Sequence, residues 1–355
     1  MNWIEPYAPW FNAVSAITMD IVGLVAAGTV AYFFAKTYHD VNVNSLTAAV
    51  ISISAFMLGT LTSEYAIDTS LFGTKGLFTA IVIALISTTI VHFFYKKNLV
   101  IQFPDSVPPL VSESFMSLVP ALAVLLLVWL LRVILGFDIN ATLMKIFEPA
   151  VVALNTLPGM MLFMFIRALL WCVGIHGGAV LAIADPIFLV MLGDNITAAA
   201  AGEALPYITA SGFMNFIFIG GGGATLPLVF LMMRSKDKGF RSLGKLCLAP
   251  GLFQINEPVV FGVPLVMNPL MMIPYVLVTE VLTLTTYGLM YFNIIARPFV
   301  NVPWTMPPIL TNYFMTGGDI RAAIWGVVSL FVAGAIYYPF FKVMEKQRLS
   351  GEEAR

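Results

Sequence analysis

Pro250-Gly251-Leu252-Phe253-Gln254-Ile255-Asn256-Glu257-Pro258-Val259-Val260-Phe261-Gly262-Val263-Pro264 sets a carboxylate between an asparagine and a proline inside otherwise apolar sequence. Proline biases the residue before it away from the α region, so Glu257 is expected where a helix is interrupted. At bilayer depth an ionisable group is costly and usually functional. Broken backbone is tolerated there only where protein or water lines it. The stretch therefore predicts helices broken around a substrate path, with Asn256 and Glu257 supplying the donors and acceptors that a polyhydroxylated ligand needs. The alternative is a paired structural carboxylate.

Other stretches share the pattern. In Leu169-Leu170-Trp171-Cys172-Val173-Gly174-Ile175-His176-Gly177-Gly178 a histidine stands among glycines at the end of an apolar run. Glycines let the backbone open and a ligand approach closely; the competing reading is a helix-end histidine satisfied by a neighbouring carbonyl. Trp171 offers an aromatic face to a sugar ring or, alternatively, belongs to a membrane-interface belt. Gly220-Gly221-Gly222-Gly223 cannot support a plain spanning helix at a cost of about 1 kcal/mol per glycine against alanine. It reads as the tip of a re-entrant hairpin or a hinge. The lysine and hydroxyl residue of a phosphate-binding loop do not follow it, so the chain makes no direct use of ATP. Asn301-Val302-Pro303-Trp304-Thr305-Met306-Pro307-Pro308 again mixes tryptophan with helix breakers. Arg167, on the helical face of Trp171 four residues on, and Glu280 also interrupt apolar runs; an internal ion pair is an open role for each.

Composition supplies the solvent. Of 355 residues 59% are hydrophobic and 10% charged, against about a quarter charged in soluble domains. The chain needs lipid, and a soluble enzyme is excluded. A net charge of −1 gives no basic face for nucleic acid. Cys172 and Cys247 suggest neither a disulfide framework nor metal-ligand spacing, and no metal site or cofactor is expected. Apolar runs recur at about 14–35, 46–61, 77–95, 117–136, 150–171, 211–233, 259–292 and 323–341. Lys36, Lys96 with Lys97, the cluster Arg234, Lys236, Lys238, Arg241 and Lys245, and the tail Lys342, Lys346 and Arg348 all fall on one side when spans alternate. That side is cytoplasmic because basic loops resist translocation. Glu64 and Asp68 fall outside. Lys36 inside puts the short N-terminus outside without a targeting feature, which predicts that a preceding span is absent from this chain. Phe103 to Phe115, with its prolines, reads as an interfacial amphipathic connection or a simple loop.

Gly174-Ile175-His176-Gly177, Gly223-Ala224-Thr225-Leu226, Ile255-Asn256-Glu257-Pro258, Val266-Met267-Asn268-Pro269 and Pro303-Trp304-Thr305 occur in this order. Together they closely resemble the membrane component, EIIC, of the bacterial phosphotransferase system (PTS), lactose/cellobiose/diacetylchitobiose family. The resemblance runs over nearly the whole chain, through Pro104-Asp105 and Val107-Pro108-Pro109 to Tyr337-Tyr338-Pro339-Phe340-Phe341. It departs at the start, where family members carry a further N-terminal helix and span. It implies an all-α, polytopic helical bundle of the glucose-superfamily type, with re-entrant or broken-helix segments, multi-pass in the bacterial cell membrane with a cytoplasmic C-terminus. It implies a permease that takes up a β-linked disaccharide and presents it for phosphorylation on a primary hydroxyl, as the membrane subunit of a phosphotransferase complex. The donor would be a phosphocysteine on the partner EIIB. By resemblance Glu257 binds the acceptor hydroxyl with His176 beside it, Asn256 orients the sugar, and Trp171 and Trp304 flank its rings; Thr305 and Gly177 complete the lining. The family's homodimer implies a dimerisation scaffold over 1–135, a mobile substrate part over 136–310, and a last span and tail over 311–355.

Two other functions fit the same residues: an H⁺-coupled secondary sugar transporter with Glu257 and His176 as the relay, and a non-transporting sugar-binding membrane protein. A requirement for a phosphoryl donor separates the first from a PTS permease. Sugar binding without uptake marks the second.

Overall fold

The computed structural model describes residues 20–41, 43–104, 112, 115–263 and 265–353. The expected extra-membrane start of the first run and most of the 103–115 connection lie outside them. The described residues hold no β-strand, and their regular elements are helical. Large apolar side chains stand exposed on the outer helix faces, among them Phe33, Leu46, Leu122 and Phe331. Such a surface would be an association hazard in water and is ordinary against lipid. The chain is an all-helical membrane protein. It divides into two compact units, Met1–Glu148 and Pro149–Arg355.

The first unit contains α1 (Val22–Ala35), α2 (Ser45–Gly59), α3 (Leu77–Lys96) and α4 (Leu118–Trp129), which runs on through a π turn over Leu130–Ile134. Small residues let these helices approach closely. Gly23, Ala27, Ala31 and Ala35 recur every fourth residue along the buried face of α1, and the Ser52 hydroxyl of α2 donates to the Ala27 carbonyl (2.7 Å). A side chain at Gly28 would meet Ile53. The chain then bends by 88° into α5 (Ile139–Leu154), with Gly136 left-handed at φ 61° and Asp138 accepting from the Ala141 N–H (2.8 Å). Between α1 and α2, Asp40 takes hydrogen bonds from Lys96 and His92, which hold its carboxyl at about 2.

The second unit follows a different rule: its helices are repeatedly cut. It comprises α6 (Leu157–Cys172), α7 (Gly177–Val180), α8 (Asp185–Ala200), α9 (Leu226–Met233), α10 (Lys238–Leu252), α11 (Glu257–Gly262), α12 (Pro269–Tyr291), α13 (Pro308–Met315) and α14 (Ile320–Glu353). Membrane-length helix occurs at Gly177–Ala200, where a 3₁₀ turn over Leu181–Ala184 joins α7 to α8, and at Pro269–Tyr291 and Ile320–Gly351. The first of these is missing from the apolar runs read in the sequence, because Asp185, Pro186 and Asp194 interrupt it. Asp185 and Pro186 open α8, where an acid and a proline suit a helix start. Conversely, the apolar run 211–233 is not one helix. Gly212, Gly220, Gly221, Gly223 and Ala224 all adopt positive φ, and only a 3₁₀ turn over Phe213–Phe216 and α9 remain regular.

Helix α14 packs on α9, α12 and α13 within this unit. Its Glu345 accepts hydrogen bonds from the Ser235 hydroxyl and the Lys236 N–H and pairs with Lys342 at 2.7 Å. Arg348 reaches Asp237 at 3.3 Å, the residue whose carboxylate caps α10 at Phe240 N–H. The basic segment 234–245 and the basic end of α14 therefore lie together.

Candidate functional site

Two helices of the second unit end in the same way. At the close of α6 the Ile175 N–H donates to the Leu170 carbonyl (2.8 Å) and the Gly174 N–H to Trp171 (3.0 Å). At the close of α10 the Ile255 N–H donates to Pro250 (3.0 Å) and the Gln254 N–H to Gly251 (3.1 Å). This is the paired bonding of a Schellman ending, whose hinge residue is left-handed. Gly174 has φ 82° and Gln254 φ 67°. Each hinge is followed by isoleucine, then by a polar residue, His176 or Asn256, and then by a new short helix, α7 or α11. The interruption expected at Glu257 lies just before it, and Glu257 is the first residue of α11.

The two breaks bring their polar residues to one cavity of 410 Å³, whose walls include Arg167, Trp171, His176, Asp185, Asn256, Glu257 and Trp304. Its size suits a small ligand. His176 caps α7: its Nδ1 accepts the Ala179 N–H at 3.0 Å. A nitrogen that accepts carries no proton, so the neutral ring holds its proton on Nε2. That nitrogen faces Glu257 Oε1 at 3.7 Å. The gap is too long for a direct hydrogen bond and short enough for one hydroxyl oxygen to reach both. Such an oxygen would accept from His176 and donate to Glu257.

The walls are fixed from behind. Asn256 donates through Nδ2 to the Gly222 carbonyl (2.6 Å). A side chain at Gly221 would collide with Asn256, and one at Gly223 with the Tyr275 ring. The Tyr337 hydroxyl donates to the Gly223 carbonyl (2.6 Å), and the Thr225 hydroxyl to Gly220 (2.7 Å). The glycine tract is thus a tightly held turn that backs the site. Trp171 is 5% exposed and stacks obliquely on His176, ring centroids 4.5 Å apart. Trp304 is 62% exposed and free to present a face.

Of the residues expected from the sequence, Glu257, His176, Asn256, Trp171 and Trp304 meet at this cavity. Gly177 is buried against the Arg167 backbone and Thr305 follows Trp304 without lining the wall. Arg167 does line it. Its guanidinium lies over the Phe218 ring, 4.8 Å from the centroid, with Nη1 3.7 Å from the Met214 sulfur. Among the described residues neither Arg167 nor Glu280 has an ion-pair partner within 4.0 Å. Asp185, Asn215, Phe218 and Gln254 line the site as well and were not singled out by sequence. Gln254 is 6% exposed. Its Nε2 donates to the Met306 carbonyl (3.3 Å), and its Oε1 accepts nothing among the described residues. The described residues contain no cluster of three or more His, Cys, Asp or Glu able to hold a metal.

A family model described as "Phosphotransferase system, EIIC" matches residues 1–279. The chain is 40% identical to the putative permease IIC component YwbA of Bacillus subtilis (strain 168), over 95% of this chain and 80% of that protein. It is 39% identical to the PTS system cellobiose-specific EIIC component of Geobacillus stearothermophilus, over 95% of this chain and 80% of that one. The crystal structure of the transporter ChbC, the IIC component from the N,N'-diacetylchitobiose-specific phosphotransferase system, superposes with a TM-score of 0.90. It is 35% identical and the match covers 95% of this chain and 83% of that one.

Proposed function

This chain belongs to the EIIC family of the bacterial phosphotransferase system, and on that premise we propose that its cavity binds a β-linked disaccharide for transport and for phosphorylation by the partner EIIB. The observation that carries the reading is the facing pair His176 Nε2 and Glu257 Oε1, 3.7 Å apart at two matched helix breaks. A sugar hydroxyl is both donor and acceptor, and this pair addresses both halves of it. Relatives named for cellobiose and diacetylchitobiose support the substrate class.

The acceptor hydroxyl oxygen attacks the phosphorus carried by a cysteine of EIIB. The P–O bond forms as the P–S bond breaks, the cysteine leaves as thiolate, and Glu257 takes the hydroxyl proton. Positioning is the larger contribution in such transfers. Asn256 fixes the pyranose edge, Trp171 buttresses His176, and Trp304 covers a ring face. The Gln254 Oε1 receives a further hydroxyl, since a buried acceptor left unpaired is costly. Because burial pushes the Cys247 thiol up, it lacks the lowered thiol a phosphoryl carrier needs, in keeping with a donor cysteine on a separate partner. The first unit then serves as scaffold and homodimer contact, and the second carries the sugar. The shared location of segment 234–245 and the end of α14 supports a cytoplasmic C-terminus under the positive-inside rule.

The test is equilibrium binding of a β-linked disaccharide panel to purified protein, wild type beside Glu257→Gln. One disaccharide should bind the wild type, and its affinity should fall by about ten- to a hundredfold in the variant, the worth of a hydrogen bond to a charged group. Unchanged affinity would remove Glu257 from the site. Uptake into vesicles without a phosphorylated EIIB would replace the mechanism by ion-coupled transport.

A further inference from the structure

The sugar cavity carries a charge that a neutral sugar does not call for. Its described walls hold two carboxylates, Glu257 and Asp185, and one side chain that is always cationic, Arg167. An arginine at membrane depth is costly and usually has a task. Yet this guanidinium meets no carboxylate within 4.0 Å among the described residues. The polar atom it reaches there is a thioether, Met214 Sδ, 3.7 Å from Nη1. The Phe218 ring covers one face, 4.8 Å from the centroid, which fixes the plane and leaves a fork of N–H donors without an oxygen acceptor among the described residues.

The fork stands beside the reacting end of the cavity. The point that a Cβ at Gly178 would occupy lies 2.9 Å from Arg167 Nη2, 3.0 Å from His176 Cε1 and 3.3 Å from His176 Nδ1. Gly178 lies in α7 without a left-handed φ, so what its missing Cβ provides is room. The guanidinium and the imidazole thus flank one open space, a gap that a phosphate ester spans with a hydrogen bond at either end. A neutral disaccharide needs only amide and hydroxyl donors. Its phosphorylated product is close to doubly negative at neutral pH and is formed next to Glu257 and Asp185, so it needs an opposing charge. Arginine matches two phosphate oxygens at once.

We propose that Arg167 is the phosphoryl-binding residue of this cavity, its guanidinium taking the oxygens of the group transferred to the sugar in the space that Gly178 leaves open beside His176. Asp185 shares the cavity and repels the same anion, so the product is held without being trapped. This rests on the sugar-binding reading of the cavity.

Titration calorimetry on the purified chain with cellobiose and diacetylchitobiose, each beside its own 6′-phosphate, tests it. The quantity read is the ratio of ester affinity to sugar affinity, which a general loss of the pocket leaves unchanged. For the pair that binds, the ester should compete with its parent sugar on wild type. Arg167→Gln should lower the ratio by about tenfold or more, the worth of hydrogen bonds to a charged group. Arg167→Lys, which keeps the charge and loses the fork, should lower it by less, and it decides the matter if the glutamine variant does not fold. Asp185→Asn should raise the ratio. A ratio unmoved in both arginine variants, with a lower thermal midpoint, would make Arg167 a structural balance for Asp185 and overturn the inference. An ester that fails to bind wild type while its parent sugar binds overturns it too, and spares the sugar reading. If neither member of either pair binds wild type, the sugar reading falls, and this inference with it.

Discussion

The two helix breaks of the sugar unit share a backbone and differ at the hinge. Gly174 ends α6 and Gln254 ends α10, both left-handed, both followed by isoleucine and a polar residue. At the first break glycine meets the conformational demand without a steric penalty. At the second a residue with a Cβ bears about 1–2 kcal/mol. Strain of that kind persists where the surroundings hold it and the side chain has a use. Here the use is visible: Gln254 holds Met306 through Nε2 and leaves Oε1 buried and unpaired beside Asn256. The first break is built for shape, and the second for a side chain.

The largest effect is expected one step beyond the hinges, where His176 and Asn256 occupy equivalent places. Asn256 is 4% exposed and ties the glycine turn through the Gly222 carbonyl. His176 is open to the cavity and holds only the start of a four-residue helix. Asn256→Ala leaves a carbonyl unpaired, at about 1–3 kcal/mol, and frees the wall behind the sugar. It should lower the thermal midpoint and abolish disaccharide binding together. His176→Ala should spare the midpoint while weakening the sugar. Paired melting and binding curves decide it; equal loss of stability in both variants would break the asymmetry.

How much of this was legible beforehand follows the same asymmetry. Glycine clusters and the Asn256-Glu257-Pro258 triplet are visible because helix breakers and a carboxylate stand out against apolar sequence. They located both breaks, and five of the seven expected residues line one cavity. Gln254 was overlooked because glutamine carries no left-handed signal, so nothing local marked it as a hinge. Arg167 stood out only as a charge inside an apolar run with an open role, and Asp185 did not stand out at all. Their convergence needs α6 and α8 to be packed, and Asp185 with Pro186 disguised the start of a membrane-length helix as a gap. The apolar run 211–233 erred the other way: hydrophobicity reads as a span, while the backbone geometry forced by Gly220, Gly221 and Gly223 cuts it short.

Gly174→Ala should have the next largest effect, and on stability alone. Its added Cβ meets Val266 at 3.1 Å and must hold φ 82°, a cost of about 1–2 kcal/mol. The sugar contacts are untouched, so affinity should change by less than about threefold, within 0.7 kcal/mol. A lost binding site with an unchanged midpoint would show that the first break also serves through its flexibility.

Gln254→Gly is the smallest change in stability and the sharpest test, because its two consequences have opposite signs. Glycine relieves the left-handed strain, which favours the folded unit by up to about 1 kcal/mol, offset by the greater freedom of the unfolded chain and by the lost hydrogen bond to the Met306 carbonyl. It also deletes the buried Oε1, and disaccharide affinity should fall by about tenfold, the worth of one hydrogen bond. Gln254→Ala separates the two. It removes the same side-chain oxygen but keeps a Cβ in the left-handed region, so it should match glycine in affinity and fall below it in thermal midpoint. If both variants bind sugar like wild type, the glutamine is there to hold Met306, and the second break is built for shape like the first.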